Sequence, residues 1–153
     1  MKLAAPAVAA VVLATVCACT PGAVKVEPPV LSGAVSERCA QLTNLLPQRL
    51  EGLKPRVISP RSNLVHAWGS PPVVLTCGVA QPAGYSASSS ETTEVDGVRW
   101  FQQRAGSAVS WTALRPGVAA GTTIYLRLTV PKHYQGQGAF LVDLAVPLRH
   151  ALP

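Results

Sequence analysis

Charge is scarce in this chain: Asp, Glu, Lys and Arg make up 13% of 153 residues, and only 7 residues are acidic. Within residues 36–153, paired carboxylates for glycoside hydrolysis would have to come from Glu37, Glu51, Glu91, Glu94, Asp96 and Asp143. Of these, Glu94 and Asp96 share a strand face, but they flank a hairpin in which turn formation accounts for Asp96. A Gly-x-Ser-x-Gly nucleophile elbow is missing, and Ser70 sits between Gly69 and Pro71 without matching context. Gly136-Gln137-Gly138 has neither the fingerprint nor the lysine of a phosphate loop. Cys39, Cys77, His66, His133 and His150 include no Cys-x2-Cys or His-x3-His pair, so no metal and no cofactor are expected. These gaps argue against an enzyme, although a site assembled from distant polar residues stays open.

Long apolar runs are missing as well. The stretch Ala4–Val16 falls short of the roughly 20 residues that a comfortable membrane span needs. With Lys2 before it and small residues after it, it reads as a secretory signal over residues 1–18. Val16-Cys17-Ala18-Cys19 resembles a bacterial lipobox, departing from the usual pattern at Cys17. Cleavage before Cys19 leaves Cys19, Cys39 and Cys77, and thioether lipidation of Cys19 explains the odd cysteine. The expected location is therefore the outer face of the cytoplasmic membrane. Simple secretion or an uncleaved N-terminal segment are the alternatives.

What is present is basic, with Lys and Arg totalling 13 for a formal charge of +6. The arginines are dispersed, which excludes a nucleic-acid tract and suits an anionic envelope surface or plain solubility. Residues 19–35 mix proline and small residues and read as a tether. Residues 36–153 read as one domain.

Ser36 is a candidate N-cap, and Cys39, Leu42, Leu46 and Leu50 follow a helical spacing that Pro47 ends or kinks. Pro55 to Pro60 reads as an extended link or short edge strand. Ala67 to Pro72 reads as turn chemistry leading to a strand with Val73, Leu75, Cys77 and Val79 on one face. Cys39 and Cys77 would then meet in the core as a disulfide. Gln81 to Ser90 reads as a mobile serine-rich loop. Asp96-Gly97 signals a tight hairpin between Glu94–Val95 and Val98–Gln102. Val109–Leu114 is a further strand. Thr123–Val130 alternates, with Ile124, Leu126, Leu128 and Val130 inward and Tyr125, Arg127 and Thr129 outward. Phe140, Leu144, Ala145 and Leu148 mark a closing helix, kinked or restarted at Pro147. The fold class is α+β: a mostly antiparallel sheet with an N-terminal and a C-terminal helix on one face, stapled by one disulfide.

Cys39 with Leu46-Pro47, Trp68-Gly69 leading to Leu75-Thr76-Cys77-Gly78-Val79, Asp96-Gly97-Val98-Arg99-Trp100 and Thr129-Val130-Pro131 resemble an actinobacterial family, the domain of unknown function 3515. The resemblance covers most of residues 36–150. It implies a small envelope protein with an N-terminal signal or anchor, and it implies no activity.

Two features are candidates for function. Trp68 could be a stacking platform for a sugar or peptide, or a structural cap beside the Cys39–Cys77 bridge. The outward stripe of Tyr125 and Arg127, with Arg99, Phe101 and Arg115 nearby, combines residue types favoured at binding hot spots. Its plainer reading is a solvated sheet face. The functional expectation is a non-enzymatic lipoprotein domain that binds an envelope protein or wall component through that face, its oligomeric state open. The alternative is a carrier or hydrolase acting on an envelope lipid or glycan, which a deep apolar pocket under Trp68 or Trp111 would favour.

Overall fold

The computed structural model describes residues 22–86, 88, 91–119 and 122–151, with the side chains of 105, 115–119 and 122–123 left aside. The signal and lipidation expectations at Cys17 and Cys19 lie outside the described residues. The elements run β1 (Val24–Lys25), α1 (Gly33–Thr43), β2 (Ile58–Ser59), β3 (Val65–Trp68), β4 (Val73–Val79), β5 (Thr92–Val95), β6 (Val98–Ala105), β7 (Ala108–Ala119), β8 (Thr122–Pro131) and α2 (Ala139–Ala151). A six-stranded antiparallel sheet has the order β3-β4-β8-β7-β6-β5, and β1 pairs with β2 in parallel as a separate two-stranded sheet. The fold is α+β, as expected.

The alternation in β8 sets the inside of the sheet. Ile124, Leu126, Leu128 and Val130 are all buried, while Tyr125, Arg127 and Thr129 between them are partly exposed. Val73, Leu75 and Cys77 of β4 continue this inner face, as do Val109 and Ala113 of β7 and Trp100 of β6. Both helices cover it: α1 packs on β4, β7 and α2, and α2 reaches β5 and β6. The Asp-Gly hairpin forms with Asp96 at φ 46° and Gly97 at φ 76°, the left-handed pair that a type I′ turn requires.

Cys39 and Cys77 form the disulfide that joins α1 to β4, with Cα atoms 5.8 Å apart. Both residues are buried.

Several boundaries differ from the sequence reading. Helix α1 begins at Gly33, with Ser32 at the N-cap, and Asn44 caps its end. Leu46 and Leu50 therefore lie beyond the helix, and Leu50 is buried through a bridge to Leu53. Proline cannot continue a helix and disfavours helical geometry in the residue before it, so Pro47 ends the pattern early. Within the segment read as a tether, Val24–Lys25 pairs with Ile58–Ser59. Ala67 and Trp68 belong to β3, and the turn is confined to Gly69–Pro72. β4 bulges at Gly78, which carries φ 82°. Cys77 sits opposite Leu126, but Val79 sits opposite Tyr125, so Val79 is carried to the outer face. Helix α2 runs unbroken through a buried Pro147.

Closing the 38-residue separation between Cys39 and Cys77 should stabilise the domain by about 4 kcal/mol in the chain-entropy treatment. The Cys39→Ala, Cys77→Ala double variant is expected to lose about 2–4 kcal/mol, read in urea as a lower midpoint. An unchanged midpoint would mean that the seam between α1 and β4 holds without the bond.

Candidate functional site

The outer sheet face, opposite the helices, gathers the stripe. Thr76 on β4 pairs with Arg127 on β8, Arg127 with Thr112 on β7, Thr112 with Phe101 on β6, and Phe101 with Thr92 on β5. Directly paired residues on antiparallel strands share a face, so this is one row across five strands. Because β6 and β8 run in the same direction, Arg99–Phe101 and Tyr125–Arg127 form the corners of a rectangle two strand spacings wide, about 10 Å. Arg99 is exposed opposite Glu94. Arg115 falls within β7, outside the residues whose side chains are described.

The centre of the row is undersatisfied. Thr112 is fully buried, and its Oγ1 has no hydrogen-bond partner. Arg127, beside it, has a buried Nε that is also unpaired. An unmet buried polar group costs about 1–3 kcal/mol. Two adjacent ones, a hydroxyl and a guanidinium N–H, suit an oxygen acceptor.

This face is not bare. The Tyr125 hydroxyl donates to Gln81 Oε1 at 3.4 Å, and Gln103 Nε2 donates to the Ala83 carbonyl at 3.1 Å. The Tyr85 ring meets Phe101 edge-on, with centroids 5.5 Å apart. The first half of the loop after β4 thus crosses from β8 to β6 over part of the stripe. Its serine-rich composition gave no signal of this; Gln81 and Tyr85 carry the contacts.

Trp68 is 3% exposed and packs within the core, leaving no ring face for stacking. It does border a groove of about 720 Å³ between the turn after α1, the segment 55–63 and β3. Leu46, Pro47, Pro55, Val57 and Ile58 supply apolar lining, and Arg56, Arg61, His66, Asn63 and Gln48 supply polar lining. Arg56 donates to the carbonyls of Gly69 at 2.7 Å and Gly22 at 2.6 Å. The sequence reading weighed His66 only as a metal ligand and did not single out Thr43, Arg56 or Arg61. Their convergence depends on segment 55–63 folding back along β3, which no motif announces.

Thr43 Oγ1 lies 2.8 Å from the Asn63 carbonyl, 3.2 Å from the Cys39 carbonyl and 3.1 Å from His66 Nε2. The Asn63 carbonyl, which can only accept, also lies 3.3 Å from His66 Nε2, so the network assigns a proton to Nε2, which it shares between Asn63 and Thr43 while the threonine proton serves a carbonyl. That arrangement leaves the imidazole no basic nitrogen on the threonine, so the pair does not build a nucleophile. Burial lowers the His66 pKa from its ordinary value, with the hydrogen bond to Asn63 opposing the shift. Among the described residues no three His, Cys, Asp or Glu side chains gather as a metal cluster. None of the helices among them is long and apolar enough to cross a membrane.

A family model described as protein of unknown function (DUF3515) matches residues 1–153. No curated protein and no solved structure matches the chain.

Because the folded-state pKa of His66 lies below the unfolded value of about 6.5, the unfolded chain binds this proton more readily. The contribution is fully present above about pH 6.5 and is lost as pH falls toward the folded pKa. Urea midpoints should fall as pH drops below about 6.5, and less steeply in His66→Gln. Identical slopes for the two proteins would place the acid sensitivity elsewhere.

Proposed function

Since the chain belongs to the family of proteins of unknown function DUF3515, which brings no activity with it, we propose from its own geometry that it is a non-catalytic binding domain of the cell envelope. In this reading, lipid on Cys19 holds it at the outer face of the cytoplasmic membrane, and it docks an envelope protein through the outer sheet face. The observation that carries the binding role is the undersatisfied pair at the centre of that face, Thr112 Oγ1 and Arg127 Nε. Both atoms are covered in the free domain, so a partner carboxylate would pair with the partly exposed remainder of the Arg127 guanidinium, and a charge-assisted bond to a partly desolvated arginine is stronger than a neutral one. Arg99 adds an exposed cation at the same face, and Tyr125 adds area with a polar tip.

The export reading draws support from chemistry. The Cys39–Cys77 disulfide suits an oxidising compartment. The lipobox-like Val16–Cys19 stretch and the leftover Cys19 thiol fit lipidation. The shortage of acids leaves a basic surface facing anionic membrane and wall polymers.

A photo-reactive aromatic residue at position 125 should capture one discrete protein in cells, and the same probe at Val142, exposed on α2, should not. Arg127→Gln and Arg99→Glu should each reduce the adduct from an unaltered probe site at least about tenfold, with the urea midpoint retained. Equal capture from both faces, or adduct insensitive to both arginine variants, would overturn the sheet-face reading.

A further inference from the structure

The groove beside β3 is a second candidate site, on different residues from the outer-face stripe. Its lining includes two arginines and no Asp or Glu. The Arg56 guanidinium is anchored by two backbone carbonyls, which fix its position without neutralising its charge. Arg61 is exposed at the same groove. Its apolar wall is open to solvent, since Val57 is 63% exposed. A volume of about 720 Å³ lies within the range of small-molecule sites.

The surroundings narrow what fits. A sugar ring would need an open aromatic face, and Trp68 presents none. An extended peptide would add to the free edge of β3, but Arg56 N–H already donates to the Ala67 carbonyl, and Gly69 N–H to the Lys54 carbonyl. The strand edge is therefore taken by segment 54–56 along this stretch. What remains is a ligand with an apolar body that asks little of the backbone and a negative end that meets the arginines.

We propose that this groove binds a single-chain anionic amphiphile, its chain along Leu46, Pro47, Val57 and Ile58 and its carboxylate or phosphate at Arg61. The positive charge at the site comes from the arginines.

The test is native mass spectrometry of the full-length, disulfide-intact protein titrated with monomeric oleate, with lysophosphatidate as a parallel series. One bound molecule per chain is expected. Arg61→Glu should weaken it at least about tenfold, while Arg61→Lys should retain most of it. Val57→Asp should weaken binding of either amphiphile. Arg99→Glu and Arg127→Gln should leave it unchanged, which separates this site from the outer face. Binding by oleate alone or lysophosphatidate alone would identify the preferred headgroup within the proposal. No saturable adduct, equal affinity in Arg61→Glu, or association only with phosphatidylglycerol vesicles would overturn it.

Discussion

An 11-residue helix with no side-chain cap is marginal by itself in water. Helix α1 persists because Val35, Cys39 and Leu42 are buried and Cys39 is bonded to Cys77. That seam fixes which face of the sheet is inside. Once β4 lies beneath α1, the alternation in β8 carries the same inside through Leu126 and Leu128 to β7 and β6. Helix α2 then closes the remainder with an almost continuous apolar surface from Phe140 to Leu148. The outer face and the groove take their positions from this seam, because one lies on its far side and the other along its flank.

The bulge next to the bond is part of the same arrangement. Gly78 has φ 82°, and a Cβ there would collide with the Leu31 side chain. Leu31 thus packs where only glycine leaves room, and it brings the segment ahead of α1 onto the sheet. Arg56 ties Gly22 to the turn after β3, so the chain before α1 is held at a second point.

The elements with strong local chemistry were legible in the sequence. Period-two alternation identified β8, Asp96-Gly97 identified the β5–β6 hairpin, and the apolar spacing after Ala139 identified α2. Cys39 and Cys77 could be paired because each fell on an inward position of its own element. The misses share a cause, which is dependence on neighbours distant in sequence. β3 is short, and its Val-His-Ala-Trp has no clean alternation because three of its four residues are buried. Val79 was assigned by parity, and one glycine at a bulge reversed it. Tyr125 and Arg127 were correctly placed outward, but composition could not reveal that Gln81 and Tyr85 would lie across their face. The groove was the least legible feature, since its polar lining comes from an α1 end, an irregular segment and a strand.

The two candidate sites make different energetic demands. On the outer face, a partner must compete with the loop from Gln81 to Tyr85, which is held there by two hydrogen bonds and one ring contact. Such contacts contribute about 1 kcal/mol each, comparable to what one charge-assisted bond at Arg127 returns. Binding there therefore selects for a partner with enough additional area to exceed that balance, which favours a protein over a small anion. The groove imposes no such competition: Arg61 and Val57 are already exposed, and Arg56 is held in place by backbone carbonyls. A small ligand gains most where the site is preorganised and little must move. The scarcity of acids leaves both sites positive, so what distinguishes their ligands is the amount of surface each must displace rather than the sign of charge.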